Sequence, residues 1–154
     1  MKTLKLVGVL ALFVAFLSSC GEGADSAVQD AANKVEAEVE KQSDAKGFIF
    51  DGFPRTTAQA EALDKYLNAR NTPISMMLSL VVQEDELKTR LMERAKTSGR
   101  TDDADPKIIE NRIATYRRET APVADFYGDQ NKLHTIDGVG SIDSITERLY
   151  AVIG

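Results

Sequence analysis

A chain of 154 residues with a single cysteine and a formal charge of −5 can close no intramolecular disulfide and can build no cysteine-based zinc site. The acidic balance, with no basic run interleaved with aromatic residues, argues against a general nucleic-acid surface.

Lys2 and Lys5 precede an apolar run over residues 6–17, followed by Ser18, Ser19 and Cys20. The run is short for a membrane span, and the basic start with small residues at its end describes a secretory signal over residues 1–19. Leu17-Ser18-Ser19-Cys20 also resembles a bacterial lipobox. That resemblance implies cleavage before Cys20, lipidation of that cysteine and export as a membrane-anchored lipoprotein. The competing accounts are an uncleaved anchor or a fused gene start, and the latter would leave the protein cytoplasmic. Residues 20–45 are rich in Ala, Glu, Asp, Gln, Ser and Lys, which makes them a solvated tether. Within them Val28, Ala31, Ala32, Val35 and Val39 recur at helical spacing, so residues 26–42 suit an amphipathic helix.

About 110 residues, 46–154, are left for one folded domain. Phe48, Ile49 and Phe50 read as a short buried strand that ends in Asp51, Gly52, Phe53, Pro54 and Arg55. Ligands of open α/β sheets sit beyond the carboxyl ends of strands, so Asp51 and Arg55 stand where a phosphate or a metal would meet them. An ordinary strand, turn and surface ion pair fits the same spacing. Thr57 is a candidate cap for a helix over residues 58–69, with Leu63, Tyr66 and Leu67 facing inward, and Thr72-Pro73 ends it.

Residues 74–82 form the strongest strand pattern, nearly continuous in apolar and β-branched residues, as expected where both sheet faces are covered. Glu84, Asp85 and Glu86 open a helix at its electropositive end, and Leu87, Leu91 and Ala95 mark its apolar stripe. Arg90 and Arg94 share a face of that helix, either as two solvated arginines or with an anion between them. A loop follows over 97–103. Asp105 as cap and Pro106 as first residue then start a helix to about residue 120, with Ile109, Ile113 and Tyr116 as its stripe and Arg112 along it. Ala121-Pro122 interrupts it, and 123–127 makes a further turn or two. Residues 133–136 are a short strand, 137–140 a turn, and Ile142, Ile145, Leu149 and Val152 line a last helix. His134 alternates with apolar neighbours and reads as structural. The order argues for a three-layer α/β unit with a parallel sheet.

Asp51-Gly52-Phe53-Pro54-Arg55-Thr56 with Gln59 resembles the signature of adenylate kinases. Arg90, Arg94, Gly99-Arg100-Thr101-Asp102-Asp103, Arg112 and Thr120-Ala121-Pro122 follow in that family's order, from about residue 46 to the C-terminus. The short interval between Arg94 and Arg100 is similar to the short-lid variety, with a lid at about 96–106. The resemblance implies a partial P-loop kinase core and reversible phosphoryl transfer between ATP and AMP, with Mg2+ accompanying ATP. It places Arg55 on the AMP phosphate, Gln59 on the adenine edge, and Gly52, Phe53 and Pro54 in the same AMP site. It places Arg100 and Arg112 on the phosphates from the lid side, Arg94 at the ATP phosphates, Arg90 near the ATP base, and Gly140 where that base meets backbone. It also implies that Asp51 holds the magnesium shell through water. Guanidinium forks suit such work, since phosphoryl transfer needs alignment and charge stabilisation above all. A tight turn at such a site suits a cis Phe53–Pro54 bond.

The family's glycine-rich G-x-x-x-x-G-K-[ST] loop and the segment that closes over AMP are expected to be absent: no stretch of these 154 residues matches that loop. The family's central first strand would be missing with it, so the remaining strands are expected to pair directly, borrow a strand or stay loosely packed. An impaired phosphotransferase follows. The alternative is a catalytically silent lipoprotein with residual nucleotide binding or an interaction role.

Overall fold

A computed structural model describes residues 24–42, 44–98 and 105–154, and gives only the backbone course of 24–27, 97 and 98. The expected signal, Cys20 and the loop carrying Arg100 lie outside the described residues. The chain divides into two compact units, Met1–Pro73 and Ile74–Gly154.

In the first unit α1 (Ala24–Lys41) buries Ala31, Ala32, Val35 and Val39, the stripe that the sequence spacing predicts. It packs against α2 (Thr57–Ala69), which buries Ala60, Leu63 and Leu67. The Tyr66 hydroxyl donates to the Glu36 carbonyl at 3.3 Å, and the Arg70 guanidinium lies 5.5 Å from the Tyr66 ring centre. Burial pushes the Tyr66 phenol above its usual range. The cap of α2 is Thr56 and not Thr57: the Thr56 hydroxyl accepts from the Gln59 N–H at 3.2 Å. Either neighbouring hydroxyl suits the sequence rule, and the extended backbone at Thr56 decides between them. At the other end Asn71 adopts φ 58°, and Thr72 N–H reaches the Leu67 carbonyl at 3.0 Å, a left-handed cap that closes the helix before Pro73.

Phe48, Ile49 and Phe50 are not a strand. Among the described residues no backbone hydrogen bond joins them to a neighbour, and Ile49 is 60% exposed. An apolar run becomes a strand only when a partner ladder takes up its N–H and C=O groups. The two phenyl rings stack on each other instead, with centres 6.3 Å apart.

The second unit carries a two-stranded parallel sheet in which β1 (Met77–Val81) pairs directly with β2 (Leu133–Asp137), from Met77 opposite Leu133 to Val81 opposite Asp137. This is an α/β architecture, dominated by helices. β1 is shorter than the predicted 74–82 strand, and Leu80 and Val81 at its end are exposed, so its faces are not both covered. His134 lies opposite Leu78 and is exposed. α3 (Glu84–Ser98) follows β1. Glu84 near its start meets Lys88 at 2.8 Å and also pairs with Arg117; hydrogen bonding from Lys88 and the charge of Arg117 hold its carboxyl below the usual range.

α4 (Pro106–Thr115) starts as the sequence predicts, with the Asp105 carboxylate accepting from the Lys107 N–H at 2.9 Å. It is not interrupted at Ala121-Pro122. A π-helical turn, Tyr116–Thr120, carries it into α5 (Ala121–Asp129), with the Ala121 N–H bonded to the Tyr116 carbonyl five residues back. Pro122 has no N–H to give and its ring crowds the preceding turn, and a widened turn accommodates both. Tyr116, expected in the apolar stripe, is exposed in that turn. α5 packs on both strands and buries Val123 and Tyr127. It ends as α2 does, with Asn131 at φ 58° and the Lys132 N–H on the Tyr127 carbonyl at 2.9 Å. In α6 (Ile142–Ile153), Ile145, Leu149 and Val152 are half-buried, but Ile142 is 82% exposed and does not belong to that face.

Candidate functional site

The first unit gathers six of the predicted site residues into one turn leading into α2. Gly52 adopts φ +71°, the left-handed region in which a side chain is strained. The Phe53–Pro54 bond is cis, as the sequence suggested. Arg55 folds back so that its Nε donates to the Gly52 carbonyl at 2.8 Å, which uses one of the five guanidinium hydrogens. A Cβ on residue 52 would stand 3.2 Å from Arg55 Nη2, so glycine leaves that guanidinium its position. Gln59, only 5% exposed, accepts from the Arg55 N–H at 2.8 Å through Oε1 and thereby ties the first turn of α2 to the arginine backbone. Asp51 is exposed and lies beside an apolar hollow lined by Val35, Val39, Phe48, Phe50 and Phe53.

The second unit brings Arg90 and the Gly140 loop together at the carboxyl end of β2. Arg90 Nε meets Glu86 at 2.7 Å and its Nη1 donates to the Gly138 carbonyl at 3.0 Å. Gly138 is buried, and its N–H reaches the Val81 carbonyl at 2.9 Å. A Cβ on residue 138 would lie 2.7 Å from Val82 Cγ2 and 3.2 Å from the Val81 carbonyl oxygen. The Gly138→Ala variant is therefore expected to lose about 1–3 kcal/mol of stability, read as a lower urea midpoint. Gly140 is exposed at φ +121°. Arg94 stands one helical turn beyond Arg90, and Arg112 lies on α4; both are exposed.

Two residues with no signal in the sequence hold the loop after β2: Arg148, whose Nη1 donates to the Asp137 and Val139 carbonyls at 2.6 and 2.7 Å, and Asp137, whose carboxylate accepts from the Val139 N–H at 3.0 Å. No motif marks either residue, because bonds to backbone carbonyls and N–H groups impose no residue pattern on the loop that makes them. Arg117, which pairs with Glu84, was missed for a similar reason: its partner lies on a helix far away in sequence.

A parallel strand pair flanked by helices, with Arg90 and Arg148 on the loop beyond the strand end, makes this an α/β chain consistent with a nucleotide-kinase-like fold. The comparisons agree. The adenylate kinase family profile matches residues 26–132. Adenylate kinase of Flavobacterium johnsoniae is 48% identical over 116 residues, covering 75% of this chain and 61% of the relative. That of Parabacteroides distasonis is 49% identical over 111 residues, covering 72% and 58%. That of Bacteroides thetaiotaomicron is 50% identical over 102 residues, covering 66% and 53%. The chain belongs to the adenylate kinase family, and it spans about three fifths of the length of the relatives it matches. The matched stretch begins at residue 26 and so takes in most of α1, the amphipathic helix that the spacing of Val28, Ala31, Ala32, Val35 and Val39 predicts.

Proposed function

We propose that this chain carries the acceptor and lid parts of an adenylate kinase, binding AMP and the ATP base and phosphates in the transfer of the γ-phosphoryl group from ATP to AMP, which yields two ADP. The observation that carries the reading is the turn at 51–55, where Gly52 and Gln59 together fix Arg55 while most of its guanidinium hydrogens stay outside those bonds. In this reading Arg55 takes the AMP phosphate and Gln59 the adenine edge, with Gly52, Phe53 and Pro54 shaping that site. Arg100 and Arg112 meet the phosphates from the side of a short lid. Arg94 meets the ATP phosphates, and Arg90 and Gly140 stand at its base. Asp51 would hold, through water, the magnesium that accompanies ATP, and the ion would supply charge neutralisation at the phosphates.

Transfer leans on charge stabilisation of a phosphoryl group in flight, and the family's glycine-rich phosphate loop is a large part of it. No match to that loop occurs in the sequence, so turnover by this chain alone is expected to fall orders of magnitude below that of a kinase that has it. A coupled assay for ADP formation, run beside calorimetric titration with AMP, tests both halves. Heat on adding AMP with very slow turnover is the expected pair. No heat defeats the nucleotide reading, and turnover at the rate of a complete kinase defeats the need for the loop.

The lipobox-like Leu17-Ser18-Ser19-Cys20 supports a second proposal, that the mature chain is exported and anchored through a lipidated Cys20. Among the described residues no helix is long and apolar enough to cross a membrane. Mass spectrometry of the mature N-terminus decides it: lipidated Cys20 supports export, and an intact Met1 removes it.

A further inference from the structure

We propose that Arg148 is a positioning residue that holds residues 137–140 as a rigid edge for the base of the donor nucleotide, an inference that rests on the phosphotransferase reading above. The loop leaves the carboxyl end of β2, where α/β sheets collect their ligands. Successive carbonyls of an extended chain point to opposite sides, and here each side meets its own arginine. Arg148, from α6, takes the carbonyls of Asp137 and Val139 at 2.6 and 2.7 Å. Arg90, from α3, takes the intervening carbonyl of Gly138 at 3.0 Å. Three carbonyls in a row are thus fixed by two guanidinium groups on different helices. The Asp137 carboxylate tightens the same turn, accepting from the Val139 N–H at 3.0 Å and standing 3.6 Å from Arg148 Nη1.

What this leaves facing solvent suits a purine. Among the described residues no hydrogen bond occupies the N–H or C=O of Gly140, a donor and an acceptor side by side. Val139, 41% exposed, and the exposed Ile142 flank it with apolar surface for a ring face. A base that reads backbone groups in this way gains only if the backbone is already in place, because ordering a loose loop on binding subtracts from affinity. Arg148 is itself partly exposed and fills no core space, so its removal leaves no cavity.

Arg148→Met keeps the aliphatic stem and deletes both carbonyl bonds. We expect faster amide exchange at Gly138 and Val139 without nucleotide, a nearly unchanged thermal midpoint, and roughly three- to tenfold weaker binding of Mg-ATP. Binding of inorganic tripolyphosphate, which has no base, stays as it was. Equal losses for ATP and tripolyphosphate, or a collapsed midpoint, mark a general structural role and overturn the inference. Unchanged exchange with unchanged ATP affinity also overturns it, and leaves the phosphotransferase reading standing. If the unmodified chain binds neither ligand, it is that reading which falls, and the assignment of Arg148 to a base falls with it.

Discussion

Replacing Arg55 by alanine is expected to weaken AMP binding by roughly ten- to a hundredfold, as for the loss of a charge-assisted hydrogen bond worth about 1.5–3 kcal/mol. Calorimetric titration of the full chain with AMP reads it. The side chain is exposed and its one bond inside the turn is to the Gly52 carbonyl, so the fold gives up little when it goes. Arg55→Lys is expected to recover only part of the loss: an ammonium is a point charge without the planar fork that meets two phosphate oxygens at once. Equal AMP affinity in Arg55→Ala and the unmodified chain would remove this arginine from the site, and with it the observation on which the functional reading rests.

Truncation of Tyr127 to alanine is expected to cost about 3–5 kcal/mol, comparable to the loss of any large buried aromatic ring. Tyr127 is 1% exposed and is the largest fully buried side chain among the described residues. It meets Phe126 edge to face with ring centres 5.1 Å apart. Its backbone carbonyl also takes the Lys132 N–H that closes α5 ahead of β2, so the ring sits where helix, cap and strand meet. Since a domain of this size is stable by only about 5–15 kcal/mol, the variant is expected to lose a large share of its cooperative transition in urea. Tyr127→Phe, which keeps the ring, should lose less than the alanine variant. A small loss for the alanine variant would mean that neighbouring side chains collapse into the space.

The parts of this molecule that were legible in its sequence are those that local chemistry determines. The stripe of α1, the Asp105-Pro106 start of α4 and the acidic start of α3 each depend on residues within a turn or two of one another. The bend from Asp51 to Pro54 was legible as a tight turn because a glycine and a proline two residues apart restrict the backbone so closely. Phe48 to Phe50 misled because a strand is completed by another strand, and composition cannot supply one. The π turn was missed since sequence rules treat a proline after a helix as a stop, whereas here the helix widens to admit it. Arg148 was invisible because its partners are carbonyls, which every residue has. Even the cap of α2 shows the limit: two adjacent threonines satisfy the rule, and only the backbone angle chooses.

The widened turn at Tyr116–Thr120 has a bearing on how this stretch tolerates change in length. A turn closed by bonds five residues back holds one residue more than an α turn, so a one-residue deletion there would make the ladder regular and leave α5 on nearly the same face. Val123 and Tyr127 would stay against the strands. A codon lost from the regular part of α4 has no such slack: it would rotate everything that follows by about 100° and turn the oily side of α5 toward water.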